Sequence, residues 1–280
     1  MIFISTGGYS KSDCYDVVVR LIDAGFESLE LSGGLRSSGL LTKLSQLREA
    51  TGCCFQLHNY FPPPSTPFVL NLGSLNDEIG RKSVELATTA LEWSSELQSE
   101  RYAVHAGFCI DPQVHQLGAN LSSASLQPAA DVVSKFRDRI FELSRVAKSL
   151  GVELLIENNV MTKRNFDVYG VNPLLMCDPE SIKSTMEGIS DVRILLDLAH
   201  LKVSANTLGF DLTQAHEDLK SAVGAYHISD NNGISDSNQP ITHESWFLDS
   251  LAEVNSYTLE VYNASYDLMH EQVSLLANNT

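Results

Sequence analysis

The sequence has few basic residues, and this scarcity restricts the kinds of partner it can bind. Its 280 residues include 19 lysines and arginines against 35 aspartates and glutamates, a formal net charge of −16 at pH 7. A surface with this charge repels nucleic-acid phosphates and anionic membranes, because both are themselves negatively charged. The composition therefore predicts no nucleic-acid partner.

The sequence also lacks cysteine pairs spaced for a thiolate site and long apolar runs. Its five cysteines are odd in number, and no two of them form a CxxC motif. We therefore expect reduced, mostly buried thiols, and neither a disulfide framework nor a Cys-based zinc site. No stretch approaches the roughly 20 apolar residues of a membrane span, and MIFISTGGYSKSD has no signal-peptide pattern. These absences predict a cytoplasmic protein without membrane contact.

What is present is an alternation of apolar runs with segments of helical period. One helical segment opens at Ser12 and Asp13 and closes at Gly25, and another closes at Gly151. The eight strand-like runs are IFIST, SLELS, FQLHNY, YAVHAG, ELLIENN, RILLDLA, GAYHIS and TLEVY. This alternation is typical of βα units, and about 250 residues is the usual size of one barrel. The sequence predicts an α/β protein, a (β/α)8 TIM barrel in a single domain over residues 1–280.

Four long irregular segments follow the ends of predicted strands. They cover residues 62–68, 111–127, 161–178 and 231–246. In a barrel of this kind, the loops after the strands form the rim of the active site. The segment from Asp111 to Gln127 fits a lid over the substrate and an ordinary surface loop equally well.

Side chains able to bind a metal or transfer a proton lie at the ends of six predicted strands. They are His58, His105, Glu157, Asp197 (with His200 three residues later), His227 and Glu260. Any one of them alone would most often be a hydrogen-bonded rim residue. Six at matched depth need a shared partner, because unpaired polar groups inside a barrel are costly. The pattern predicts a metalloenzyme.

The motifs that carry these residues resemble the xylose isomerase-like barrel superfamily. They are HNYF, HAGF, LIEN, LLDLAH, YHISDNNG and LEVY. The resemblance covers essentially the whole chain and is most specific in strands five to eight. That superfamily includes sugar and sugar-phosphate isomerases and epimerases, and the type 2 apurinic endonucleases. Similarity to enzymes such as D-tagatose 3-epimerase implies one divalent cation held by Glu157, Asp197, His227 and Glu260.

The resemblance implies a metal-dependent isomerase or epimerase of a small carbohydrate or sugar phosphate. Three carboxylates and one imidazole suit Mn²⁺, Mg²⁺ or Co²⁺, and Zn²⁺ is also compatible. Glu157 and Glu260 are the expected catalytic pair, exchanging a proton with the substrate through a metal-stabilised enediolate. The expected substrate-binding residues are His58, His105, His200 and Asp230, and the candidates for apolar walls are Phe61, Phe108 and Trp246.

A zinc-dependent endonuclease-like phosphodiesterase is the first alternative. His58 and His105 match the histidines that complete the first zinc site of that branch. Its third site needs an Asp-x-His pair after strand seven, but here Ile241 precedes His243 where the Asp is expected. Asp236 could substitute from elsewhere in the loop.

The scarcity of basic residues favours the predicted carbohydrate enzyme over the phosphodiesterase. The predicted rim carries only isolated bases, Arg36, Lys163 and Arg164, which suffice for one small anionic group and are too few for a duplex. A polyol dehydratase or a non-catalytic sugar-binding barrel is the second alternative, because such proteins could keep the same ligands. By analogy with barrels of this type, we also expect a homo-oligomer.

Overall fold

Eight parallel strands close into a barrel in chain order, with β1 hydrogen-bonded to β8. The computed structural model describes residues 1–9, 11–116, 121 and 124–280. The strands are β1 (Ile2–Ser5), β2 (Ser28–Leu31), β3 (Cys54–His58), β4 (Arg101–His105), β5 (Glu153–Glu157), β6 (Val192–Asp197), β7 (Val223–Ile228) and β8 (Tyr257–Leu259). This arrangement confirms the predicted (β/α)8 barrel.

The helices surround the barrel and cover its outer face. Within the described residues they are α1 (Cys14–Asp23), α2 (Leu40–Thr51), α3 (Asp77–Glu96), α4 (Ala129–Leu150), α5 (Lys163–Tyr169), α6 (Pro179–Met186), α7 (Leu198–Leu208), α8 (Leu212–Leu219) and α9 (Tyr266–Ala277). The Asp13 carboxylate caps α1, and Gly151 ends α4 in a left-handed conformation with φ 69°. The predicted start of α1 and the predicted end of α4 are thus confirmed.

In one half of the barrel, the interior side chains that precede the C-terminal ends of the strands are apolar. Ala103, Leu155, Leu195 and Ala225 form a small buried cluster contributed by β4, β5, β6 and β7. The next inward position on each strand lies two residues later, because side chains alternate between the two faces. Those positions are His105, Glu157, Asp197 and His227. An apolar layer therefore supports a polar layer at the C-terminal end of the barrel.

The other half of the interior is polar. Buried Ser5, Glu30, Gln56 and Thr258 come from β1, β2 and β3 and from the middle of β8. Strand register brings them together, since Ser5 pairs with Glu30 and Glu30 pairs with Gln56. This polar half adjoins the layer of candidate ligands.

Four further features bear on the sequence predictions: the end of β8, the cysteines, the long rim segment and the apolar character of the helices. The strand β8 ends at Leu259, so Glu260 follows the strand and does not lie within it. The five cysteines are free, and four of them are buried. Residues 117–120, 122 and 123 of the long rim segment lie outside the described residues. None of the described helices combines the length and apolar character that crossing a membrane requires.

Candidate metal centre

Four side chains from the ends of β5, β6, β7 and β8 converge, as the sequence pattern predicts. The His227 Nδ1 atom lies 3.2 Å from Glu157 Oε1 and 3.5 Å from Glu260 Oε2. It also lies 3.9 Å from Asp197 Oδ2. All four residues are buried, with His227, Glu157 and Asp197 at 0% exposure. The arrangement places three carboxylates around one imidazole nitrogen.

A second group of side chains shares Glu157 with the first. The His58 Nε2 atom lies 2.6 Å from Glu157 Oε2, and His105 Nδ1 lies 3.2 Å from the same oxygen. Each group, Glu157 with Asp197 and His227 or Glu157 with His58 and His105, has ligand atoms within 4.8 Å of one another. One carboxylate therefore joins two potential cation positions.

The side chains present fit a divalent cation. Within the described residues, five buried atoms of the two groups have no hydrogen-bond partner: His58 Nδ1, His105 Nδ1, Glu157 Oε1, Asp197 Oδ2 and His227 Nδ1. A buried polar atom without a partner costs about 1–3 kcal/mol, and charged atoms cost more. Oxygen and imidazole nitrogen are ligands for Mn²⁺, Co²⁺ and Zn²⁺. A shared cation would satisfy atoms that the protein leaves unpaired.

Burial and neighbouring charges shift the pKa values of these groups in different directions. Burial would raise the pKa of Glu157, but His105, His58 and His227 hold it well below its usual value. Burial, opposed by His200 and reinforced by Asp236, raises the pKa of Asp197 to about 7. Burial lowers the pKa of His105 to about 4. Glu157 is therefore the group most firmly held as an anion.

The charges of neighbouring carboxylates keep a proton on His227. Burial disfavours the imidazolium, but Glu30, Glu260 and Glu157 raise the pKa of His227 well above its usual value. Burial also raises the pKa of Glu260. A cation at Nδ1 would take the place of a proton there, so its binding would be favoured by rising pH.

The start of α7 orients Asp197 and His200. Asp197 is the N-cap residue, and its Oδ1 atom accepts a 2.7 Å hydrogen bond from the backbone N–H of His200. Its Oδ2 atom lies 3.6 Å from His200 Nε2 and 3.9 Å from His227 Nδ1. The His200 ring has Nδ1 2.8 Å from the Asn158 carbonyl oxygen and Nε2 3.3 Å from Asp236 Oδ2. The sequence pattern gave Asp236 only a substitute role, whereas the structure places it beside His200.

Asp230, a predicted substrate contact, has other partners. Its carboxylate accepts hydrogen bonds from Lys202 Nζ at 2.6 Å and from Ser245 Oγ at 2.8 Å. The backbone N–H of Asn231 donates a further bond at 2.7 Å. Among the described residues, no hydrogen bond or ion pair joins Asp230 to the converging groups. Its contact with a substrate stays a prediction.

Glu30 is the buried site residue that the sequence reading omitted. Its Oε2 atom lies 3.0 Å from His227 Nε2 and accepts a 2.8 Å hydrogen bond from the Gln56 amide. The charges of His227 and His58 outweigh burial and lower the pKa of Glu30 to about 2. The alternation in SLELS, with Ser28, Glu30 and Ser32 on one face, is the signal that could have identified it.

A cavity of about 570 Å³ opens above these groups. His105, His200 and Asp236 line its inner end, and Phe108 and Arg164 contribute to its walls. Of the predicted aromatic walls, only Phe108 lines the cavity. Phe61 instead packs against Trp93, and Trp246 packs against His216 and Phe247. The cavity has the size of a small-molecule site.

Comparison with known proteins gives a consistent family assignment. The sequence model of the xylose isomerase-like TIM barrel family matches residues 18–255. An uncharacterized protein of Methanocaldococcus jannaschii is 26% identical over 170 residues, 60% of this chain and 50% of that protein. This chain thus matches half the length of that curated relative.

Solved structures share the whole fold at low identity. A D-tagatose 3-epimerase-like protein superposes with a TM-score of 0.74 at 18% identity, covering 99% of this chain and 98% of the other. The 3-keto-D-glucoside 4-epimerase of E. coli gives 0.68 at 13%, with the same coverage of 99% and 98%. Endonuclease IV from Thermus thermophilus gives 0.59 at 17%, again covering 99% and 98%. These likenesses establish a common barrel.

Proposed function

The chain belongs to the xylose isomerase-like TIM barrel family, and from its site geometry we propose a divalent-metal-dependent isomerase or epimerase of a small carbohydrate or sugar phosphate. The observation that carries this proposal is the convergence of Glu157, Asp197 and Glu260 on Nδ1 of His227. The epimerases among the similar structures agree with it. Cytoplasmic location and homo-oligomer formation stay predictions from the sequence.

Glu157, Asp197, His227 and Glu260 would hold the cation. The set is rich in oxygen, which suits Mn²⁺, Mg²⁺ or Co²⁺ and is compatible with Zn²⁺. When bound, such a cation supplies Lewis-acid polarisation of substrate oxygens and thereby acidifies the C–H beside a carbonyl.

Each of the two glutamates has one oxygen facing the ligand group and one held by a hydrogen bond. Glu157 Oε1 faces His227, while its Oε2 lies 2.6 Å from His58 Nε2. Glu260 Oε2 faces His227, while its Oε1 accepts hydrogen bonds from Ser5 Oγ at 3.0 Å and Tyr262 Oη at 3.2 Å. We assign proton exchange with the substrate to Glu157 and Glu260, the two glutamates among the candidate ligands.

Substrate recognition is assigned to the cavity walls. His105 and His200 line the cavity and can contact sugar hydroxyls, since each imidazole offers a donor or an acceptor. Arg164 also lines it and has no ion-pair partner among the described residues. A single guanidinium at this position suits one phosphate group or another small anion.

A phosphodiesterase is the second candidate, and one observation favours it. His58 and His105 approach Glu157 closely enough to form a second cation position beside the first. A polynuclear zinc site is the arrangement expected of the endonuclease alternative. The net charge of −16 opposes a duplex substrate.

The first experiment is metal analysis of protein purified without chelator, by elemental mass spectrometry. We expect about one Mn, Mg, Co or Zn per chain, because Glu157, Asp197 and Glu260 all face the same atom, Nδ1 of His227. Asp197→Asn should lose the metal, whereas Asp230→Asn, whose carboxylate bonds Lys202 and Ser245, should retain it. Two or three zinc ions per chain would favour the phosphodiesterase.

Proton exchange tests the reaction class without knowledge of the product. Incubation of the metal-loaded protein in D₂O with a panel of ketoses and ketose phosphates should replace one carbon-bound proton, as detected by NMR. Chelated protein is the control and should give no exchange. If the protein binds no divalent cation after reconstitution, the proposed function fails.

A further inference from the structure

The buried polar half of the barrel carries a carboxylate with a specific relation to the candidate metal centre. Glu30 contacts the opposite side of the His227 ring from the converging carboxylates, with Oε2 3.0 Å from Nε2. The other ring nitrogen, Nδ1, faces Glu157, Asp197 and Glu260. The imidazole is therefore placed between an inner carboxylate and the metal group.

We propose that Glu30 is a positioning residue that fixes the tautomer and orientation of His227, so that Nδ1 is presented to a divalent cation. An ionised carboxylate can only accept, so His227 must keep its proton on Nε2 to bond it. The lone pair for a cation is then on Nδ1. This inference rests on the proposed metal-dependent function.

Glu30, His58, His227 and Glu260 also have potential ligand atoms within 4.8 Å of one another, but the hydrogen bonds of Glu30 favour positioning over direct ligation. Its Oε2 atom accepts from Gln56 Nε2 at 2.8 Å and from Thr258 Oγ1 at 3.0 Å, in addition to His227. Its Oε1 atom accepts from Ser32 Oγ at 3.2 Å. Both oxygens of Glu30 thus accept hydrogen bonds, whereas His227 Nδ1, Glu157 Oε1 and Asp197 Oδ2 are among the buried site atoms without a hydrogen-bond partner in the described residues.

The surroundings of Glu30 are themselves held in place. Gln56 donates from the same amide nitrogen to Thr258 Oγ1 at 2.6 Å, and its Oε1 atom accepts from Ser256 Oγ at 2.9 Å. Glu30 is 1% exposed and cannot exchange these partners for bulk water. A rigid carboxylate behind a ligating histidine raises the basicity of the ring and fixes its rotation. Loss of such a partner typically weakens metal affinity by about 10–100-fold.

The test is a Co²⁺ titration of metal-free wild type and Glu30→Gln, with dissociation constants measured by competition against a chelating dye. Glu30→Gln keeps the side-chain size and removes the charge, and we expect the dissociation constant to rise about 10–100-fold. The visible absorption bands of bound Co²⁺ should also shift. Ser256→Ala is the matched control, because Ser256 bonds Gln56 and no candidate ligand, and its dissociation constant should match that of the wild type.

A spectroscopic measurement on the wild type keeps the inference testable if Glu30→Gln does not fold. In Zn²⁺-loaded protein labelled with ¹⁵N-histidine, His227 should carry its proton on Nε2 and bind through Nδ1. A His227 bound through Nε2, or a Co²⁺ dissociation constant equal in wild type and Glu30→Gln, would overturn the role of Glu30. Failure of the wild type to bind Co²⁺ or Zn²⁺ at all would instead overturn the proposed metal-dependent function.

Discussion

At the scale of single residues, Glu157 and Glu260 have the same chemistry in different surroundings. Glu157 lies among three imidazoles, which hold its pKa well below its usual value despite burial. Burial raises the pKa of Glu260, whose Oε1 atom accepts from the hydroxyls of Ser5 and Tyr262. The two candidate carboxylates therefore differ in the partners that surround them, imidazoles for Glu157 and hydroxyls for Glu260.

Replacing either glutamate should remove turnover. In Glu157→Gln and Glu260→Gln, proton exchange between a reactive ketose and D₂O should fall by at least about 10²–10⁴-fold, the usual contribution of a general acid or base. Metal content must be measured in the same samples, because both residues are also candidate ligands. Glu153→Gln is the control: it removes a carboxylate at the opposite end of β5, where Arg101 lies 3.6 Å away. A variant with near-normal exchange would exclude that glutamate from proton transfer.

Most residues of the site could be predicted from the sequence, because apolar runs show where the strands end. His58, His105, Glu157, Asp197 and His227 end apolar runs, and the structure brings them together. The pattern of SLELS is that of an ordinary strand, so it does not single out Glu30. Asp236 lies in a loop with no periodicity, so only the folded chain shows that it reaches His200.

At the scale of elements, the backbones of the loops after β3 and β4 lie in close contact beside the site. A Cβ atom on Gly107 would lie 2.7 Å from the backbone nitrogen of Gly73 and 3.0 Å from Asn71 Oδ1. That Asn71 oxygen accepts from the backbone N–H groups of Gly73 and Phe108 at 3.0 and 2.9 Å. A side chain at Gly107 would therefore clash with the backbone at Gly73, which the hydrogen bond to Asn71 holds in place.

Gly107→Ala should destabilise the protein. Overpacking of this kind costs about 1–3 kcal/mol. Gly33→Ala is the control, because a Cβ atom there meets nothing within 4 Å and should change stability by less than about 0.5 kcal/mol. Urea unfolding measures both. Equal unfolding midpoints for the two variants would show that the loop backbone accommodates the methyl group.

The regular elements were predictable because each follows from local chemistry. Apolar runs marked all eight strands, and the Asp13 cap and Gly151 marked two helix boundaries. The sequence pattern does not predict the short helix α5, within the rim segment of residues 161–178, or α6, which directly follows that segment. Seven- and eight-residue helices there give too few turns for a clear period.

At the scale of the whole molecule, the negative charge is not offset at the rim. Of the three isolated rim bases, Lys163 pairs with Asp167, and Arg36 lies over the ring of Trp93 at 5.3 Å. Arg164 alone lines the cavity above the candidate metal centre. Among the described residues, Arg164 is thus the one of these three bases that lines the cavity, in a chain with a net charge of −16.

We therefore expect no measurable affinity for duplex DNA. A protein that binds a duplex neutralises several phosphates, and each contact contributes to a steep dependence on salt. With one available guanidinium at the cavity, the dissociation constant for a fluorescent duplex carrying an abasic-site analogue should exceed about 100 µM at physiological salt. Fluorescence anisotropy measures it, and Co²⁺ binding by the same sample shows that the site is intact. A dissociation constant below about 1 µM that rises steeply with salt would contradict this expectation and favour the phosphodiesterase. Such a salt dependence is the signature of a phosphate-binding surface.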